Sequence, residues 1–170
     1  MLYVGRLGHE KNIGKLKTVL REVPGVRLAI VGDGPARRDL EQEYAGTPTV
    51  FTGALQGEEL AAAFASADAF LFPSTTETLG IAMIEALASG LPVLAAKAGA
   101  TGEVVSDGET GILYDPDSEA SLVAAVRKLV SDDDLRTRMA RSARAVAEGR
   151  DWGSSTRTLR GYYEMAVGEG

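Results

Sequence analysis

The chain has 170 residues and a formal net charge of −6, from 18 Lys and Arg against 24 Asp and Glu. Apolar residues make up 45 % of it, which is typical of a globular domain, and the acidic balance argues against nucleic acid as a partner. The chain has no cysteine and one histidine, which excludes a disulfide scaffold, a thiol nucleophile, and metal sites built from cysteines or several histidines.

Six short apolar runs give the first structural signal. None alternates cleanly between apolar and polar residues, which indicates strands buried on both faces, as in a parallel sheet. In chain order the predicted strands cover residues 2–5, 26–32, 49–52, 69–72, 92–96 and 111–114.

Segments with helical periodicity lie between and after these runs. The predicted helices cover residues 13–23, 37–44, 57–65, 81–89, 118–129, 135–148 and 154–166. Strands that alternate with helices through right-handed crossovers form a doubly wound α/β sheet. We therefore predict one Rossmann-like domain over residues 1–170, with six parallel strands in the order 3-2-1-4-5-6.

Single residues mark two helix boundaries. Ser131 is predicted to cap the helix that follows it, with the aspartates at 132–134 facing the positive end of the helix dipole. A metal site built from these aspartates is the less favoured alternative, because consecutive side chains point in different directions. Gly90, two residues before Pro92, is typical of a helix C-terminus.

The residues that follow the first strand are candidates for a phosphate site. In an open parallel sheet, ligands bind in the crevice beyond the carboxyl ends of the strands. Gly5 permits a close backbone approach, and Arg6 and Lys11 supply cations near the start of the next helix. This pattern predicts a diphosphate site; the alternative is that both cations are solvated surface charges.

Glycines also follow the second and third strands. Gly32 and Gly34 come after the second strand, and Gly53 comes after the third. Residue 37 is arginine, so the segment lacks the last glycine of the G-x-G-x-x-G dinucleotide fingerprint. A nicotinamide or flavin cofactor is therefore disfavoured.

Two carboxylates eight residues apart, Glu77 and Glu85, form the other candidate pair. On one helix they would lie about 12 Å apart along the axis, too far for the paired carboxylates of a retaining glycosidase. We expect Glu77 in the loop before the helix and Glu85 about one turn inside it, where they suit hydroxyl groups at two places on an extended ligand. Gly80 and Ile81 would present backbone N–H groups to an anion at the start of that helix.

Five segments now resemble a known family. They are "VGRLGHEKN" at 4–12, "VGDGPARRDLE" at 31–41, "VFTGALQGEEL" at 50–60, "FPSTTETLGIAMIEALASGLPVLA" at 72–95 and "DGETGILYDPD" at 107–117. In this order they resemble the C-terminal, donor-binding domain of glycosyltransferase family 4 enzymes, which have the GT-B fold. Within the family the chain looks most like the sulfoquinovosyltransferases that make sulfoquinovosyl diacylglycerol, although lipid mannosyltransferases and glucosyltransferases share most of these segments.

The resemblance implies a role for each candidate residue. Arg6 and Lys11 match the cations that hold the donor diphosphate. Glu77 matches the carboxylate that contacts the donor sugar, and Glu85 matches the one that binds the ribose. Leu79, Gly80 and Ile81 match the segment whose backbone amides face the sugar and the phosphate. Thr52, Gly53 and Leu55 match the loop whose backbone holds the base. Gly5, Gly32 and Gly34 match the residues that line the same cleft.

The implied reaction is retaining transfer of a sugar from a UDP- or GDP-linked donor to an acceptor, which we expect to be a lipid. Arg6, Lys11 and Glu77 would be the catalytic residues, with no metal ion and no cofactor. The alternatives are a nucleotide-binding module without turnover and a domain related to nucleotide-sugar epimerases or hydrolases.

The resemblance also implies a second lobe outside this sequence. An N-terminal acceptor-binding domain is expected to complete the enzyme, and the predicted helix at 154–166 would cross back to it through Leu159, Tyr162, Tyr163 and Met165. On its own, the chain is expected to bind a donor but not to transfer the sugar. No apolar run approaches the ~18 residues that are needed to cross a bilayer, so we expect a cytoplasmic protein. The complete enzyme is expected to lie peripherally at the inner face of the membrane.

Overall fold

The computed structural model describes residues 1–76 and 80–149. The predicted helix at 154–166, Glu77 and Leu79 therefore lie outside the described residues. Six strands are present: β1 (Leu2–Val4), β2 (Leu28–Val31), β3 (Thr49–Gly53), β4 (Phe70–Phe72), β5 (Val93–Ala96) and β6 (Gly111–Tyr114). They form one parallel sheet in the order β3-β2-β1-β4-β5-β6, which confirms the predicted topology.

Seven α-helices accompany the sheet in the described part of the chain. They are α1 (Lys17–Glu22), α2 (Arg37–Glu43), α3 (Gly57–Ala65), α4 (Ile81–Ala88), α5 (Thr101–Val104), α6 (Glu119–Ser131) and α7 (Asp133–Glu148). Short 3₁₀ turns at His9–Lys11 and Ile13–Leu16 precede α1, so the helix predicted at 13–23 begins as a 3₁₀ turn. The sequence did not predict α5 or the turn at His9–Lys11.

Both faces of the sheet are buried, which explains why the strands read as continuous apolar runs. Successive residues of β4 enter different cores: Leu71 packs on one face with Tyr3 and Leu94, whereas Phe70 packs on the other with Met83. Each of these side chains is at most 1 % exposed. This two-sided burial fixes the positions of the strand ends and therefore of every loop that follows them.

The cap predicted at Ser131 is wrong. Ser131 is still the last residue of α6, whereas Asp132 has the extended backbone that an N-cap requires. The Asp132 carboxylate accepts a hydrogen bond of 2.8 Å from the Leu135 backbone N–H. Gly90 does end α4 as predicted, with φ of +71° and a bond of 2.9 Å from its N–H to the Leu87 carbonyl.

Within residues 1–76 and 80–149, no helix is both long enough and apolar enough to cross a membrane.

Candidate functional site

The carboxyl ends of β1, β2 and β3 meet at one edge of the sheet. The Gly5 N–H donates to the Val31 carbonyl at 3.0 Å, and the Gly32 N–H donates to the Gly53 carbonyl at 2.8 Å. The chain changes direction across the sheet between β1 and β4, and such a switch point is where open α/β sheets bind ligands. The structure thus confirms that the predicted glycine positions lie together at this edge.

Gly32 is required by the packing of the loops themselves. A Cβ at this position would lie 1.9 Å from the Gly5 carbonyl oxygen, and one at Gly34 would lie 2.5 Å from the Leu7 carbonyl oxygen. These contacts bring the loop after β2 directly onto the loop after β1. A contact of either glycine with a ligand stays a prediction.

The two predicted phosphate-binding cations lie on the loop between β1 and α1. The Arg6 side chain is 60 % exposed, and its Nη2 donates to Glu10 Oε1 in an ion pair on the same loop. Lys11 ends the 3₁₀ turn and is half-buried. Because an exposed ion pair is weak, a phosphate group could replace Glu10 as the partner of Arg6 at small cost.

Asn12 is a site-forming residue that the sequence analysis missed. It has a left-handed backbone with φ of +55°, the only such non-glycine residue in the described ranges. Its Nδ2 lies 3.5 Å from the Pro73 carbonyl oxygen and 3.4 Å from Thr75 Oγ1, so it links the loop after β1 to the segment after β4. An Asn directly after a short turn is a signal for this conformation, but its contact partners depend on the tertiary fold.

Helix α4 begins on the other side of the switch point. Gly80 is its buried N-cap, with φ of +64°, and Ile81 at its first position is 61 % exposed. The N–H groups of a first helical turn have no partner within the helix and can bind an anion. Just before it, the Ser74 hydroxyl is buried and has no hydrogen-bond partner among the described residues.

Glu85 lies in the second turn of α4, about one turn inside the helix, as predicted. Its side chain is exposed, although its neighbours Met83, Ala86 and Leu87 are buried. A carboxylate in this position is free to accept hydroxyl hydrogen bonds from a ligand; the ribose contact itself stays a prediction. Glu77, its predicted partner for the sugar, lies outside the described residues.

The end of β3 carries a charged neighbour. Gly53 has φ of +79°, and a Cβ on it would lie 3.3 Å from Arg37 Nη1. Arg37 pairs with Asp33 at 2.9 Å and with Glu41 at 2.8 Å. The Gly34 N–H and the Arg37 guanidinium hold the pKa of Asp33 below its usual value, so this carboxylate stays charged.

The other residues predicted to contact the base, Thr52 and Leu55, flank Gly53. Thr52 is exposed and its hydroxyl donates to the Gly53 carbonyl at 2.9 Å. Leu55 is half-buried and packs against the core that contains Phe70. The structure therefore places Thr52, Gly53 and Leu55 on one loop beside Arg37, and their contact with a base stays a prediction.

A groove of about 630 Å³ lies elsewhere, against β2 and β3 and the end of α3. Its lining includes Met1, Arg27 and Asp68 but, of the predicted site residues, only Thr52. It is mostly apolar and lacks the paired cations of the β1 loop. In the described part of the chain, no three His, Asp or Glu side chains come together to hold a metal ion; independence from metal stays a prediction.

Comparison with known proteins identifies the family. Residues 1–146 match the family of group 1 glycosyl transferases. The chain belongs to this family. The strand order and this match together confirm the predicted fold, a Rossmann-like domain of the GT-B type.

Individual relatives agree with this assignment. The chain is 42 % identical to sulfoquinovosyl transferase SQD2 of Arabidopsis thaliana, over 98 % of this chain and 34 % of that protein. It is 41 % identical to a GDP-mannose-dependent alpha-mannosyltransferase of Mycolicibacterium smegmatis, over 98 % of this chain and 43 % of that protein. It thus spans less than half the length of the relatives that it matches.

A solved structure of Anabaena HepE in complex with UDP-glucose is also similar. It superposes with a TM-score of 0.80 at 27 % identity, over 88 % of this chain and 43 % of that one.

Proposed function

We propose that this chain is the donor-binding part of a glycosyltransferase that moves a sugar from a nucleoside diphosphate sugar to an acceptor. The observation that carries the proposal is the pair of cations, Arg6 and Lys11, on the β1 loop, with the start of α4 across the switch point between β1 and β4. Two relatives support this class of donor: one is GDP-mannose-dependent, and one was crystallised with UDP-glucose.

These groups suit the charge that develops during transfer. When the bond between sugar and phosphate breaks, the leaving nucleoside diphosphate gains negative charge, and preorganised donors stabilise it. Arg6 would exchange Glu10 for a phosphate oxygen, and the first-turn N–H groups of α4 would face the diphosphate from the other side. The same arrangement supports our proposal that a divalent metal ion is not needed.

The carboxylates would act at the two ends of the donor. Glu85, exposed on α4, would accept hydrogen bonds from the ribose hydroxyls. Glu77 would contact the donor sugar, a role that rests on the family resemblance. A retaining mechanism and a lipid acceptor are the finer parts of the proposal, and both rest on the family resemblance.

Calorimetric titration tests the diphosphate site. We expect the 170-residue chain to bind UDP or GDP in the presence of EDTA. Arg6→Ala should weaken binding by roughly 1.5–3 kcal/mol, the range for a hydrogen bond to a charged group, and should leave binding of the nucleoside alone unchanged. Arg21→Ala is the matched control, because Arg21 is an exposed cation on α1 that pairs with Glu22. A strict requirement for Mg²⁺ or Mn²⁺ would contradict the proposal.

The ribose contact has its own test. Glu85→Ala should weaken nucleoside diphosphate binding by about 2–3 kcal/mol. A 2′,3′-dideoxy nucleotide should show the same loss on the wild-type chain and little further loss on the variant. Glu109→Ala, which removes an exposed carboxylate in the turn before β6, is the control. Equal wild-type affinity for the ribo and dideoxy forms would rule out this role of Glu85.

A transfer assay addresses the acceptor. Holding donor and acceptor in a reactive geometry can contribute ~7–11 kcal/mol to lowering the barrier, and we propose that a second lobe supplies the acceptor site. The 170-residue chain incubated with radiolabelled donor and diacylglycerol should then bind the donor without forming a labelled lipid. Transfer by this chain alone would place the acceptor site within it.

A further inference from the structure

Arg37 is held in one orientation by two carboxylates. Its Nε donates to Glu41 Oε1 at 2.8 Å, and its Nη1 donates to Asp33 Oδ2 at 2.9 Å. Asp33 is itself fixed, because its other oxygen accepts a bond of 2.7 Å from the Gly34 N–H. Exposed ion pairs contribute little to stability, so the main consequence of this cluster is that the plane of the guanidinium is fixed.

The fixed guanidinium lies beside the end of β3. Its Nη1 would be 3.3 Å from a Cβ on Gly53, so a side chain at residue 53 would require the guanidinium to shift by a few tenths of an ångström. The Gly53 carbonyl accepts from the Gly32 N–H at the end of β2, and Gly5 follows on β1. The end of β3 is therefore about two strand spacings, or about 10 Å, from the end of β1, which leads into the loop that carries Arg6.

This position fits the base of a nucleotide whose diphosphate is bound at Arg6, so the inference rests on the proposed function. From the β1 loop, the nucleoside could extend toward β3 or toward β5. The β3 side offers Gly53 and the half-buried apolar Leu55, which suit contact with an aromatic ring, whereas the β5 side presents the exposed charge of Lys97. The surface at β3 is thus the better site for a base.

We propose that Arg37 is a specificity-determining residue that donates a hydrogen bond from Nη2 to a carbonyl oxygen of the nucleobase. Among the residues that the structure describes, Nη2 has no hydrogen-bond partner, because the two carboxylates use Nε and Nη1. A guanidinium can only donate. Uracil and guanine carry ring carbonyl oxygens that accept such a bond, whereas adenine carries an amino group in place of the guanine oxygen. Arg37 therefore selects uracil and guanine nucleotides against adenine nucleotides.

Calorimetric titration of the 170-residue chain with UDP, GDP and ADP tests this assignment. The wild-type chain should bind UDP or GDP more tightly than ADP. Arg37→Met keeps an unbranched apolar stem and removes the guanidinium with its donors. It should reduce affinity for the preferred nucleotide by about tenfold or more, with less than about a threefold change for ADP. Binding of ribose 5-diphosphate, which has no base, should be the same in both chains.

Two further variants complete the design. Glu41→Gln leaves Arg37 in place but weakens one of its two ion pairs. This variant should lower the preference for uracil or guanine over adenine by a smaller factor than Arg37→Met does. Arg38→Met removes the neighbouring exposed arginine and should change nothing. Thermal unfolding of each variant without nucleotide checks that the fold is intact.

The outcomes separate the two proposals. If the wild-type chain binds none of the three nucleotides, the proposed function fails, and this assignment fails with it. If Arg37→Met weakens UDP, GDP and ADP equally, or weakens none of them, Arg37 is part of a surface ion-pair cluster and only the base assignment is overturned.

Discussion

Gly111, the first residue of β6, has no room for a side chain. It pairs with Val93 of β5, and a Cβ on it would lie 2.0 Å from the Val93 carbonyl oxygen and 2.9 Å from Val105 Cγ1. Two of the three close contacts are to backbone atoms, which cannot move without separating β5 from β6. The need for glycine here therefore comes from strand packing.

Gly111→Ala should lower the free energy of unfolding by about 1–3 kcal/mol, the cost of overpacking a filled core. Gly102→Ala is the matched control: Gly102 lies in α5 with open space around its Cβ position, so alanine should leave stability unchanged or raise it. Urea denaturation of both variants measures the difference. Equal stability of the two would show that β5 and β6 adjust to the extra methyl group.

The sequence predicted the positions of site residues better than their partners. Gly5, Arg6, Gly32 and Gly53 lie at the carboxyl edge because strand ends and glycines can be read along the chain. Asp33 and Glu41, each four residues away, orient Arg37, but its position beside Gly53 could not be predicted, because Arg37 lies on α2 and Gly53 on β3. In the sequence, Arg37 was notable only because it stands where the G-x-G-x-x-G fingerprint has its last glycine.

At the scale of elements, the junction between α6 and α7 depends on one residue. Asp132→Ala should lower the free energy of unfolding by about 1 kcal/mol, because it removes the side-chain acceptor for the Leu135 N–H. Ser131→Ala, one residue earlier, is the control and should change stability by a few tenths of a kcal/mol at most, because Ser131 ends α6. Thermal unfolding of the two variants measures this, and a larger loss for Ser131→Ala would contradict the assignment of the cap.

Elements were predictable where their apolar pattern was clear. The bounds of α3 and β6 agree with those predicted from the apolar pattern. Helix α5 and the turn at His9–Lys11 span four and three residues, too few to show a helical period. The cap at Asp132 was misplaced by one residue because serine and aspartate are both good caps, and only the backbone conformation distinguishes them.

At the scale of the whole molecule, two buried phenols are expected to lower stability at alkaline pH. Burial raises the pKa values of Tyr44 and Tyr114 above the ordinary value of 10.0. Both groups ionise more readily in the unfolded chain, so the free energy of unfolding should be constant up to about pH 10 and fall above it, by up to about 1.4 kcal/mol per pH unit for each phenol.

Tyr114→Phe should make this alkaline decline less steep. It is the cleaner variant, because the Tyr44 hydroxyl also donates to the Ile13 carbonyl at 2.7 Å. Urea denaturation at several pH values between about 8 and 11 gives both profiles. Parallel profiles for the wild-type and variant chains would show that other groups cause the decline.

The order of the strands could be predicted because right-handed crossovers leave few arrangements for six parallel strands. The acceptor could not be predicted in the same way, because the candidate site residues were all assigned to the donor. The chain spans 34 % and 43 % of the length of two relatives, and recognition of an acceptor by a second lobe stays a proposal.

The single register pair between β1 and β4, Leu2 with Phe70, has a consequence for how the molecule assembles. Strands β1 to β3 and strands β4 to β6 each join neighbours along the chain, whereas the seam between them closes the longest loop of any strand pair, so we expect it to form late. The candidate site straddles this seam. A ligand that contacts both half-sheets would bind only the chain in which the seam is formed. It would therefore slow amide hydrogen exchange throughout both half-sheets, and not only at the residues beside the ligand.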